Sequence, residues 1–430
     1  MSTPEPDSRI EFAAALSTRR DAVAAADEAC ERALASAHAT GASDLVLLHF
    51  TREHARHAEA IERVVHERLG AETVLGVSAS GVVGGAMQVR EAPGLSVLAG
   101  WMPGVDVHPF ILQDLPKPPE DAGEDWAREH IAPVVGLDRS DARATLVLTD
   151  AFSVPLVRLL PSLAGARERN DIPILGGVAS AGKAPGQNVL SLNGGIMNVG
   201  GVGVTLTGNI DVDCAVSQGC VGFGANLVVT KCRGNVLLEL SGRRAIDVVR
   251  ETVLELDGEQ RSRLGRGLFV GRVINEYKER FGRDDYLIRG IRGFDEQAGA
   301  VLTDDFFRVG QTIRLHYRDT KTAQADLGML LDRERLRSEP AAALLLTSQG
   351  REAGPAGSPS HDAGAVARAF SQQTPGVHAA KGGRPYGGSP DHDVPLAGFE
   401  AAGEIGPIGD GVFLHSQSAV LAVIREGRAS

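Results

Sequence analysis

Glu404 stands in Gly403-Glu404-Ile405-Gly406-Pro407, a glycine-rich stretch between two runs of strand character, 395–399 and 418–424. Burying an unpaired polar group costs ~2–7 kcal/mol and an unpaired charge far more. Glu404 therefore points to solvent or lines a polar cavity, where a carboxylate would hold an ammonium. Ser78, Ser80 and Ser180 belong to two other glycine-rich turns, 76–81 and 176–182. Such turns expose backbone N–H groups that can hold a ligand carboxylate. Gln218 and Cys220 stand in Ser217-Gln218-Gly219-Cys220, at a loop between strands. A reactive thiol needs a His, a Lys or a helix N-terminus close by. The neighbours of Cys220 in sequence supply none, so a small buried thiol is the plainer reading. His415 follows on a strand, where alternation decides whether it faces the other candidates.

Three other patterns fail on inspection. In GGVASAGKA (176–184), Gly177 and Gly182-Lys183 have the spacing of a phosphate-binding loop. Ala184 stands where a Mg²⁺-binding hydroxyl belongs, and Pro185-Gly186 prevents the helix that would face the phosphate. GVSAS (76–80) and VASAG (178–182) each lack one glycine of a hydrolase elbow and lead into strands rather than helices. His54 and His57 lie three apart on one predicted helix, with His49 before and His66 after, but zinc needs three or four converging ligands. His54 shares the face of Ala58 and Ile61, as a histidine at a core edge does. We expect no metal, no cofactor and no catalytic residue.

The chain has 430 residues, enough for two or three domains, and 43% of them are hydrophobic. Its net charge of −11 lacks the basic face that nucleic acid requires, and aromatics make up only 4%. The first ten residues are polar, with no signal core. The uncharged stretch 184–210 is broken by Pro, Asn and Gly, so it is no membrane helix. Four cysteines without a CxxC spacing suit reduced thiols in a cytoplasm.

The elements that would position these residues follow from periodicity. Residues 11–36 read as one helix, on Phe12, Leu16, Val23, Ala26, Cys30 and Leu34. A β-α-β-turn-β unit then occurs three times. Its strands open at 43–50, 143–150 and 341–351; its helices read as 51–70, 153–169 and 364–373. Thr51 is the expected N-cap of the first helix and Gly70 its end. The three turns align as LGVSASG, LGGVASAG and AGFEAAGE. Different material separates the second and third copies: a hairpin over 225–240 turning at Arg233-Gly234-Asn235, an amphipathic helix over 243–256, alternating strands over 267–319 and a helix from about 320 to 335. Stretches 104–125 and 350–393 read as loops.

SQGCVGFGANLVVTKCRGNVLLELSGRRAIDVV (217–249), FFRVGQTIRLHYRD (306–319) and GFEAAGEIGPIGDGVFLHSQSAVLAVI (398–424) together resemble the FIST family, the F-box and intracellular signal transduction domains. The most telling pieces are Ser217-Gln218-Gly219-Cys220 and Gly403-Glu404-Ile405-Gly406-Pro407. Val221 and Gly222 replace the basic residue and proline usual after the Gly-Cys, and Val77 and Ala401 replace cysteines. The resemblance implies a sensory module that binds small ligands such as amino acids. We expect an α+β fold of two-part mixed sheet and helix layers: an N-terminal helical segment (1–40), a FIST N-like domain (41–235) and a FIST C-like domain (236–430) with a loop region at 350–393. The function expected is non-catalytic sensing of a small polar metabolite in the cytoplasm, with a separate signalling partner protein, no nucleic acid and no membrane. Ser78, Ser80, Ser180, Gln218, Cys220, Glu404 and His415 are the candidate ligand contacts. The competing readings are an enzyme with Cys220 as nucleophile in acyl or alkyl transfer or hydrolysis, and a scaffold that binds protein through 350–393.

Overall fold

The centre strands of the three repeated units are apolar runs. Leu45–Thr51 and Ala342–Ser348 are buried at every residue, and Ala142–Thr149 at all but Arg143. Strands covered on both faces read this way. The computed structural model describes residues 9–119, 122–349, 351, 361–371 and 394–427. It resolves them into two compact units. The larger takes the described residues up to Val216, those of 328–414 and those from Ala419 on; the smaller takes Ser217–Leu327 and His415–Ser418.

In the larger unit each centre strand lies between a parallel strand and an antiparallel return strand. The parallel partners are Thr73–Ala79, Ile174–Val178 and Leu396–Ala401. The return strands are Leu95–Trp101, Gly201–Gly208 and Ala419–Glu426. Lead strands Glu11–Ser17, Val105–Ile111 and Ile210–Ser217 pair with them on the outside. After its parallel strand each copy forms a hairpin, and that hairpin joins another copy's sheet. Gly81–Gly84 with Met87–Arg90 extends the third sheet, Leu190–Leu192 with Gly195–Met197 the first, and Glu404–Ile408 with Gly411–His415 the second. The result is three six-stranded sheets of one topology. Their inward faces share a core in which Leu47, Leu146 and Leu344 occupy equivalent positions. A cavity of about 30 Å³ among these side chains and Phe12 has apolar walls and stays dry. Helices Ala22–Ser36 and Ala58–Leu69 cover the outer face of the first sheet through Ala26, Cys30, Ile61 and Val65.

The glycine of each aligned turn sits opposite a centre strand: Gly76 beside Leu48, Gly176 beside Val147, Gly398 beside Leu345. A Cβ on Gly176 or Gly398 would stand 1.8 Å from the carbonyl oxygen of its neighbour. A Cβ on Gly76 would instead meet the Ser191 hydroxyl, at 2.2 Å, and a side chain can turn away.

The smaller unit is a closed barrel. Strands Cys220–Arg233, Thr312–Arg318, Leu268–Val273, Tyr286–Asp295, Ala300–Thr303 and Val236–Leu240 pair in that order, and the last returns to the first. Cys220–Arg233 closes the ring because its first part pairs with Thr312–Arg318 and its last part with Val236–Leu240. Phe223, Val270, Val301 and Leu315 fill the interior with the inner face of helix Ala245–Leu254.

The fold is α+β, with corrections in detail. Glu11–Ser17 is a strand and the helix begins only at Ala22, after an Asp21 cap. The alanine-rich run fits either period, and short apolar runs cannot be assigned by spacing alone. Val105–Ile111 is a strand within the expected 104–125 loop. The helix expected over 51–70 is interrupted at Arg56-His57, and Thr51 makes no side-chain cap; its hydroxyl accepts the Gly94 N–H at 3.0 Å instead. Within 350–393 lies the helix His361–Phe370; most of the rest of that stretch falls outside the described residues.

Gly176→Ala and Gly398→Ala should each destabilise the fold by ~3 kcal/mol or more, since carbonyl and Cβ cannot share the space. Gly76→Ala should cost clearly less. Urea denaturation of the three variants checks the order, and equal losses would contradict it.

Candidate functional site

A pocket of about 190 Å³ opens on the barrel, lined by Cys220, Phe281, Arg283, Tyr286, Arg314 and His316 among others. Strand register assembles it. Gly222 pairs with His316 and Cys220 with Arg318, so the thiol strand runs beside the histidine strand. Arg314 and His316 are two apart and share a face of Thr312–Arg318. Tyr286 opens the strand opposite Val273.

His316 lies in a slot that glycine leaves open. A Cβ on Gly271 would stand 2.3 Å from its Cε1, and one on Gly222 3.1 Å from its Nε2. The ring meets Tyr286 edge-on at 5.1 Å. Its Nδ1 lies 3.0 Å from the Arg314 carbonyl, which only accepts, so Nδ1 carries the hydrogen and Nε2 the lone pair. Burial is the main cause of a pKa pushed down to about 4, so the imidazole is neutral at physiological pH. The Tyr286 hydroxyl donates to Asn226 at 2.7 Å, and burial raises its pKa. Gln218 is buried and donates to the Tyr286 carbonyl at 2.9 Å, bracing the wall of the pocket from behind. Arg314 donates to the Gly224 carbonyl at 3.0 Å, and Arg283 to Asp326 at 3.3 Å.

The three glycine-rich turns meet in the larger unit, and their polar groups are taken up by one another. The Ser180 hydroxyl accepts the Ser80 N–H at 2.9 Å and bonds the Glu400 carbonyl. The Ser80 hydroxyl donates to Glu400 Oε2 at 2.9 Å, and Arg90 pairs with Oε1 at 2.5 Å. The Ser78 hydroxyl accepts the Val189 N–H at 2.8 Å, and its carbonyl accepts the Ser180 N–H at 3.2 Å. Val178 exchanges main-chain bonds with Ala402 and Gly403, each 2.9 Å.

Glu404 is not in the turn itself. It opens a strand opposite Gly177 and has no exposed surface, which removes the solvated reading. The Ser348 hydroxyl donates to it at 2.8 Å. Val82 and Leu190, both buried, hold the same register position in the other two hairpins.

The seven expected contacts thus divide between the units. Ser78, Ser80, Ser180 and Glu404 belong to the larger; Gln218, Cys220 and His415 to the smaller. Cys220 alone of the seven lines the pocket on the barrel. Cys220 and His415 are both buried. Sequence reasoning missed Arg283, Tyr286, Arg314 and His316. It sought a partner for Cys220 among its neighbours in sequence, whereas the histidine arrives through strand pairing far along the chain. The usable signal was the alternation of QTIRLHYRD, which puts Arg314 and His316 on one face. Among the described residues no three His, Cys, Asp or Glu side chains gather as a metal site, and no helix is long and apolar enough to cross a membrane.

Family models match nearly the whole chain: a FIST N domain over residues 44–243 and a FIST C domain over 245–407. The uncharacterized protein Rv0628c of Mycobacterium tuberculosis is 30% identical over 417 residues, 95% of this chain and 98% of its own. The uncharacterized protein Mb0898c of Mycobacterium bovis is 29% identical over 391 residues, 89% of this chain and 90% of its own.

Burial disfavours a thiolate and shields a thiol from reagents. Cys220 is buried, and the neutral His316 supplies no imidazolium. The pocket's cations are engaged, Arg314 with the Gly224 carbonyl and Arg283 with Asp326. Cys220 should therefore alkylate with iodoacetamide at pH 7 at least tenfold more slowly than in the unfolded chain, read by peptide mass spectrometry. Labelling as fast as a free thiol would favour the nucleophile.

Proposed function

This chain belongs to the FIST family of signal-transduction sensory domains, and from that premise we propose that it binds a small polar metabolite, an amino acid or a relative of one, without transforming it. The observation that carries this reading is the pocket of about 190 Å³ at Cys220, Arg314 and His316. Ligand sites are concave, with a few placed polar groups, and those for drug-sized molecules measure ~300–1,000 Å³. A smaller pocket suits a smaller solute. None of the four cysteines is in a disulfide, which supports a reducing cytoplasm. The bound state is read by a separate signalling protein.

A ligand at about one hundred times its Kd should stabilise the fold by ~2.7 kcal/mol. A thermal-shift screen of amino acids, organic acids and other small metabolites tests this. A raised Tm with at least one compound is expected; no shift across a broad panel would contradict the proposal.

A second reading places a cationic group of the ligand at Glu404, among Ser78, Ser80 and Ser180. It is favoured by one observation: a buried carboxylate holds a register position that Val82 and Leu190 fill elsewhere. On this reading Glu404→Gln weakens a cationic ligand at least tenfold while the free protein keeps its Tm within a few degrees. Unchanged affinity would remove Glu404 from the site.

A further inference from the structure

The charge of the barrel pocket narrows the ligand class, an inference that rests on the pocket being the sensory site. Among the described residues its walls carry two guanidinium groups, Arg283 and Arg314, and no carboxylate. Arg283 is itself paired with Asp326, outside the lining, at 3.3 Å, and Asp285 beside Tyr286 is paired with Lys278 at 2.5 Å. Among the described residues Arg314 makes no ion pair and donates to main chain, at the Gly224 carbonyl. This cationic wall belongs to a chain of net charge −11, so it is a local feature and not a general one. Guanidinium groups suit carboxylate and phosphate oxygens.

The rest of the pocket offers a different complement. His316 gives its one hydrogen to the Arg314 carbonyl, so Nε2 can only accept. A Cβ on Gly222 would crowd Nε2 at 3.1 Å, so it is the lack of a side chain there that leaves this nitrogen room. A ligand must then bring an anionic end to the arginines and a proton donor to the histidine. An ammonium would donate too, but no carboxylate lines the pocket to receive its charge, and the guanidinium of Arg314 repels it. A hydroxyl donates without that repulsion.

We infer that the pocket at Arg314, Arg283 and His316 takes a small hydroxycarboxylate, its carboxylate on the arginines and its hydroxyl donating to His316 Nε2. The amino acid of the same carbon skeleton is disfavoured by its ammonium. The acid lacking the hydroxyl is disfavoured because Nε2 then loses its donor. Phosphate shares the anionic chemistry but lacks the second group.

Isothermal titration of the full chain at pH 7 and low salt tests this with matched sets: lactate, alanine and propionate; malate, aspartate and succinate; and inorganic phosphate alone. The hydroxy acid of at least one set should bind at least tenfold tighter than its amino and unsubstituted counterparts, and tighter than phosphate. Arg314→Gln, at an accessible side chain that leaves the barrel core intact, should weaken that binding at least tenfold. His316→Gln should reduce the hydroxy preference to within threefold. If that buried substitution unfolds the barrel, the matched sets and Arg314→Gln decide alone. An amino acid binding as tightly as its hydroxy acid, with loss in Arg314→Gln, overturns the inference and leaves the sensory reading standing. A thermal-shift hit that is neutral or cationic, with no acid bound, does the same. No binding by any compound in either assay overturns both.

Discussion

Main-chain hydrogen bonding between one copy's parallel strand and another copy's hairpin is the constraint on which the larger unit depends. An unpaired strand edge is a liability, and pairing it within the fold is one remedy. Here each sheet obtains its last two strands from a different copy, and the exchange runs through all three. Because hairpin and parallel strand are joined by the glycine-rich turn, the exchange draws the three turns together at the ends of the centre strands. The meeting of Ser80, Ser180 and Glu400 is a consequence of that topology. So is the burial of Glu404: its strand must lie against Gly177 for the second sheet to be completed.

The barrel obeys a different rule. Its ring closes through one long strand shared by two partners, which fixes the register of Gly222 against His316. Two glycines then leave room for an imidazole where a side chain would exclude it. Burial keeps that ring neutral, and the Arg314 carbonyl sets its tautomer. On the proposed reading, that neutral acceptor and the guanidinium of Arg314 recognise two different groups of one ligand.

Much of the architecture was legible because it is written locally. The triple occurrence of strand, helix and glycine turn could be read directly, and the glycines at 176 and 398 recur because a carbonyl oxygen occupies the space of any Cβ. The barrel strands over 267–319 and the turn at Gly234 were legible from alternation and turn chemistry. What was not legible is set at long range. The alanine-rich run 11–17 fits either period and becomes a strand by pairing with Leu95–Trp101. Nothing near a hairpin says which sheet it will join. The same is true of the site: Cys220 was singled out from its motif, but His316 and Arg314 reach it only through strand register. Glu404 looked like a turn residue because Gly403, Gly406 and Pro407 surround it; it becomes a strand residue only by pairing with Gly177.

The central claim is that a small solute is held by the barrel pocket. Hydrogen–deuterium exchange, with and without the compound that stabilises the chain most, tests it most directly. The account predicts slowed exchange concentrated in 220–222, 281–286 and 314–316. Slowed exchange confined to 76–81, 176–182 and 398–406, with the barrel segments unchanged, would contradict it.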